Sequence, residues 1–181
     1  MKGDKQGYGT LAVTLHWVSA VLIIILLITG FNAAAHPEAA EKAALLRVHI
    51  PATILMLLAT LARLIWWALD QRPEAVAGPK WQKIVSKATH IALYVVIIAM
   101  LGSGIALVAL SGAAPDIFAP GGTTRLPNFD LFPPRIPHGI GARLLVALLI
   151  LHIAAALYHI FLLRDGLFWR MWYRTSGDAR K

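Results

Sequence analysis

The sequence predicts an all-α integral membrane protein, a four-helix transmembrane bundle with both termini in the cytoplasm. Three observations carry that expectation. Hydrophobic residues make up 58% of the 181 and charged residues only 14%, with a mean hydropathy of +0.66, which is far more apolar than a soluble domain. Four apolar runs are each long enough to cross a hydrocarbon core of ~30 Å as a helix. Basic residues gather at one set of their ends, as they do on the cytoplasmic side of a membrane.

The first run, Leu11–Phe31, is uncharged. Lys2 and Lys5 before it and Ala33-Ala34-Ala35 after it imitate a signal peptide. Its apolar stretch exceeds the ~7–15 residues of a signal core and holds His16, so it is expected to persist as a helix. The second run is Leu45–Leu69, the third Ile84–Leu110 and the fourth Gly139–Leu163. The tail, residues 164–181, is expected to form a short interfacial helix. The whole chain, 1–181, reads as one transmembrane domain without an internal repeat.

Four crossings place both termini and the Asp70–Lys83 loop on one side. That side carries Lys2, Lys5, Arg72, Lys80, Lys83, Lys87, Arg164, Arg170, Arg174, Arg180 and Lys181, whereas the other has Lys42, Arg47, Arg125 and Arg135. The asymmetry points the termini into the cytoplasm. Trp66, Trp67, Trp81, Trp169 and Trp172 fall near that interface, where amphipathic rings are favoured. The longest connection, Ser111–Pro137, is rich in Pro and Gly, and loops of that length are commonly functional. It caps the outer face, where it can shape a docking or substrate site.

The absence of cysteine excludes disulfides, thiolate metal sites, iron–sulfur clusters and covalent haem attachment. The net charge of +8 does not point to nucleic acid, because the basic residues flank apolar runs and form no basic face with interleaved aromatics.

Of seven histidines, His36 precedes Pro37 in a loop and reads as solvated. The other six lie in or at the ends of the four runs. His138, His152 and His159 are separated by fourteen and seven residues, so they share one stripe of the fourth run. Fourteen residues rise ~21 Å, so this stripe offers imidazoles at different depths. His49 is level with His138 near the outer side, and the two can face each other. On the inner half lie His16, His90 and His159, with His152 nearer the middle; depth alone does not choose a pair among these four. Two separated histidine pairs in a helical bundle suit two haem groups, each iron held by imidazoles from facing helices. Zinc suits them less, because no third and fourth ligand gathers at either level. Arg63 sits fourteen residues after His49 on the same face, where a haem propionate would supply its counter-charge. Gly30, Gly102, Gly104, Gly139 and Gly141 would let helices or a flat macrocycle approach the backbone.

The pieces "TLHW" around His16, "RVHI" around His49, "THIALY" around His90 and "LHIAAALYH" followed by "RDGLFWRM" resemble the bacterial cytochrome b561 family. Its members are four-helix di-haem b membrane proteins related to the cytochrome b subunits of hydrogenases and formate dehydrogenases. The resemblance covers nearly the whole chain. It implies that His16 and His152 ligate the cytoplasmic-side haem b and that His49 and His138 ligate the outer one. It makes His90 and His159 supporting groups or part of a quinone pocket near the inner haem. Some members carry an acidic residue just after the position of His138, whereas this chain reads "PHGIG".

Iron between two histidines has no free axial position, so the haems would relay electrons rather than bind oxygen. The resemblance implies ubiquinone as acceptor, and His159 would suit a proton-linked step there. One branch of the family is superoxide oxidase-like; in it Arg47, Arg125 and Arg135 would steer a small anion to the outer haem from the periplasm. The competing expectations are an electron-transfer subunit or shuttle serving a separate redox protein docked on the outer loop, and a haem-free transporter using histidines as a proton or metal relay. No pair of interrupted half-helices and no acidic residue within a span supports the transporter.

Overall fold

The computed structural model describes residues 2–4, 6–71, 73, 74, 78–120, 122, 123 and 125–173. Lys5, Arg72, Arg174, Arg180 and Lys181 of the basic count above, and the end of the tail, lie outside these residues. Among the described residues four helices are long and apolar enough to cross a membrane. They are α1 (Thr10–Ala35), α2 (Ala39–Leu69), α3 (Lys80–Ser111) and α5 (Arg135–Tyr158), the last running on through a π-helical turn at His159–Leu163. A short helix α4 (Ala114–Ile117) and a 3-10 turn at Phe129–Leu131 lie in the long connection, and a second 3-10 turn spans Phe168–Met171.

Several helices start before their apolar runs: α2 at Ala39, α3 at Lys80 and α5 at Arg135. The hydrocarbon limits which residues must be apolar but does not end a helix, so polar first turns project beyond it. Proline sets these starts: Pro79 immediately precedes α3 and Pro134 immediately precedes α5. Its fixed φ suits a helix entrance and its missing N–H has no partner to lose there. The link between α1 and α2 shrinks to His36–Glu38.

The packing is uneven. α1 lies along α2 and α3 along α5, while the two pairs barely touch each other. Contact between them is an apolar cluster at mid-depth built on Leu22, Ile23, Met56, Val96, Leu101 and Leu145. Outward faces stay apolar and uncovered: Ile24, Leu58, Val95 and Ile153 are each more than half exposed. Such surfaces belong in lipid, where the helix satisfies its own backbone.

At one end of the bundle the chain's beginning and end are tied together. The Tyr8 N–H donates to the Arg170 carbonyl at 3.3 Å, the Trp17 indole donates to the Met171 carbonyl at 2.9 Å, and the Gly3 N–H donates to Asp70 at 2.9 Å. We call this the terminal end. At the opposite, loop end, Arg47 donates through Nε to the Ile117 carbonyl at 2.6 Å and through Nη2 to the Ala119 carbonyl at 3.3 Å. This holds α4, whose Ile117 is fully buried, against α2.

Candidate functional site

Two histidine pairs face each other across the cleft between the helix pairs. His16 of α1 opposes His152 of α5 with ring centres 6.3 Å apart and planes inclined 56°. His49 of α2 opposes His138 of α5 with centres 6.4 Å apart and planes inclined 72°. An imidazole nitrogen lies about 1.1 Å from its ring centre and a metal–nitrogen bond is about 2.0–2.1 Å, so two imidazoles on opposite sides of one metal ion hold their centres about 6.2–6.4 Å apart. Both pairs have that spacing. His90 of α3 does not share it: its ring meets that of His152 edge-on with centres 5.4 Å apart, a direct contact with no room for an ion. Among the described residues no three His, Asp or Glu side chains converge as a zinc centre requires.

The loop-end pair is oriented by its neighbours in two parallel ways. The Thr29 hydroxyl donates its proton to the Ile25 carbonyl at 2.7 Å, so at 2.9 Å from His49 Nδ1 it accepts. Likewise the Ser103 hydroxyl donates to the Met100 carbonyl at 3.1 Å and accepts from His138 Nδ1 at 3.0 Å. Each ring therefore carries its proton on Nδ1 and keeps Nε2 as a bare lone pair, the form that binds a metal. Glycines beside both hydroxyls make the room. A methyl group at Gly30 would lie 3.0 Å from His49 Cε1, and one at Gly104 would lie 3.1 Å from His138 Cε1. Gly102 has no protein atom within 4 Å of that position.

A pocket opens between the helix pairs at this level. His49 and His138 line it with Ile23, Leu27, Met56 and Met100, and Arg135 and Arg143 stand at its wall. Arg143 was not singled out from the sequence, although a charge eight residues inside a spanning helix is a signal for function. Arg135 also pairs with the exposed Asp130 at 3.1 Å, and Arg125 is exposed in the long connection. Arg47 differs from the expectation of a steering charge, because its guanidinium is held by carbonyls under α4.

Toward the terminal end, Arg63 of α2 is partly buried and lies with Cζ 5.5 Å from the centre of the Tyr94 ring, a cation–π contact. His159 lies apart from the cleft pairs. It occupies the π-helical turn, an irregularity that recurs at functional sites, and lines a second open pocket with Ile160, Arg164, Gly166, Phe168 and Trp169. His90 is not among the residues lining that pocket. His159 Nδ1 lies 2.5 Å from the Asp165 carboxylate. Burial works against the Asp165 charge, but the Leu167 N–H at 3.0 Å and the His159 ring outweigh it and hold the carboxyl below its ordinary value. As an ionised carboxylate Asp165 only accepts, so His159 donates from Nδ1.

The chain matches the family model described as prokaryotic cytochrome b561 over residues 7–174, which includes all four spanning helices and the six histidines within them. No curated protein matches it. The cleft, the metal-spaced imidazoles and a match over nearly the full length agree. The chain belongs to the prokaryotic cytochrome b561 family: it is a multi-pass bacterial inner-membrane protein that binds haem b and acts in electron transfer.

Proposed function

We propose that the chain is a di-haem b cytochrome that carries electrons from a periplasmic donor to the quinone pool, with superoxide as donor and ubiquinone as acceptor. The observation that carries the reading is the shared 6.3 and 6.4 Å spacing of two imidazole pairs across one cleft. Each haem would supply a one-electron couple for electron relay. His49 and His138 hold one haem at the loop end, and His16 and His152 hold the other nearer the terminal end. The apolar cluster between the levels keeps water out of the middle of the bundle. Arg63 meets a propionate of the haem nearer the terminal end, and His90 keeps the His152 ring in place from its other side.

The basic residues at the terminal end orient it to the cytoplasm, which puts the loop end in the periplasm. Two superoxide ions yield two O2 and two electrons, and one ubiquinone takes up those electrons with two protons. Arg125, exposed in the long connection, draws the anion to the loop end. The pocket beside His159 receives the quinone ring, with His159 and Asp165 delivering protons from the cytoplasmic side. Family membership sets aside the haem-free transporter. The rival donor, a redox protein docked on the long connection, is favoured by exposed apolar side chains there and at the start of α5, Leu131 at 77% and Ile136 at 68%.

The detergent-purified protein is expected to carry two haem b per chain by pyridine haemochrome and to be reduced by enzymatically generated superoxide. Neutralising Arg125 to Gln should slow that reduction and flatten its dependence on salt. Fewer than two haems overturns the di-haem reading. Failure of superoxide to reduce the protein moves the donor to a docked partner, and an unchanged rate in the variant removes the steering role.

Thr29→Val and Ser103→Ala remove the hydroxyls that accept from His49 Nδ1 and His138 Nδ1. Each is expected to raise the rate of haem loss from the loop-end site by ~10–100-fold, read as transfer to apomyoglobin, while Thr29→Ser restores the wild-type rate.

A further inference from the structure

Arg135 and Arg143 stand on one face of α5, eight residues apart, with Gly139 midway between them. The position a Cβ would take on Gly139 is 3.5 Å from Nη1 of Arg135 and also 3.5 Å from Nη1 of Arg143. Two guanidiniums thus converge on one point beside His138, and both face the loop-end pocket. Like charges so placed repel each other unless an anion lies between them. Gly139 brings no side chain to do this. Asp130 reaches only Arg135 and is itself 77% exposed at the rim. Arg143 has its Nη1 on the Gly139 carbonyl of its own helix at 2.9 Å, and no carboxylate among the described residues pairs with it. It lies about 12 Å along α5 from the helix start, at a depth where an unmatched charge is unfavourable.

We infer that Arg135 and Arg143 form a carboxylate-binding clamp in the loop-end pocket, and that its occupant is the propionate side chains of the haem held there by His49 and His138. This rests on the di-haem reading above. Guanidinium forks match carboxylates in planar, bidentate geometry, and the pocket presents apolar walls for the macrocycle beside this polar edge. Gly139 leaves the space between the two forks open to the ligand.

The test is a spectroelectrochemical titration of the haem-loaded, full-length protein and of Arg143→Gln. Loss of a positive charge beside the haem favours its oxidised form. The loop-end haem should shift about tenfold in its reduction equilibrium, about 59 mV lower for one electron, while the other haem is unchanged. Arg143→Lys, which keeps the charge, should recover most of the shift, and Arg135→Gln should act in the same direction. Two unchanged potentials in Arg143→Gln, with both haems bound, overturn the clamp and leave the di-haem reading standing. A wild-type protein with fewer than two haems overturns both. A wild-type potential that moves with added phosphate at constant ionic strength, and ceases to do so in Arg143→Gln, shows a free anion in the clamp and overturns the propionate assignment.

Discussion

His49→Ala and His138→Ala are each expected to yield a protein with one haem b instead of two. On the proposed assignment, each substitution would remove one of the two imidazoles that hold that haem. Truncation also opens a void beside Gly30 or Gly104, where the ring is packed against the backbone. The His16–His152 pair lies on the far side of the apolar cluster and shares no contact with the loop-end pair. Its spectrum should therefore remain. The measurement is the reduced-minus-oxidised visible spectrum with pyridine haemochrome quantification, in which about half the absorbance is lost. Because the helix pairs barely touch except at mid-depth, losing this bridge should also lower the thermal midpoint of the loop end. His36→Ala, at an exposed turn where the ring pairs with Glu41 at 2.7 Å, serves as the control with both haems intact. Retention of two haems in both loop-end variants would remove the assignment.

His159→Ala is expected to keep both haems and the wild-type rate of reduction, yet to be reoxidised by a soluble ubiquinone analogue at least ~100-fold more slowly, the scale of a lost general acid–base group. The ring is remote from the cleft pairs and opens onto its own pocket, so haem retention is a sharp control. Asp165→Asn tests the partner. The Asp165 carboxyl is held below its ordinary value in the folded protein, so its pairing with His159 is intact at neutral pH. The stabilisation from this pairing is therefore present above the unfolded carboxyl's range and disappears as pH falls through the lowered folded value. Reoxidation should therefore lose an acid limb in Asp165→Asn that the wild type shows below the ordinary carboxylate range. An unaltered profile would mean that Asp165 fixes the turn after α5 without serving the proton path.

The four spans were legible because length and hydropathy are properties of a contiguous segment, and a bilayer reads them segment by segment. The level of each histidine was legible for the same reason, through the fixed rise per residue. The rise is one-dimensional, however, and says nothing of rotation about each helix axis or of which helices are neighbours. Depth thus left His16, His90, His152 and His159 open as partners. Packing separates them: His16 lies 6.3 Å from His152, His90 touches that same ring at 5.4 Å, and His159 turns away to Asp165.

Side-chain roles diverged from appearance for physical reasons as well. Arg47 looks like a free outer charge in the sequence, but its guanidinium finds the Ile117 and Ala119 carbonyls at the end of α4. Thr29 and Ser103 look like ordinary helix hydroxyls, because their bonds to Ile25 and Met100 are local; that the same oxygens accept from His49 and His138 depends on a neighbouring helix. By itself the sequence determined an all-α membrane bundle with imidazoles at set depths, since those follow from local hydropathy and helical rise. Only the tertiary structure decided which rings face across the cleft, which nitrogen each offers and where Arg143 meets Arg135, because those depend on contacts between residues far apart in the chain.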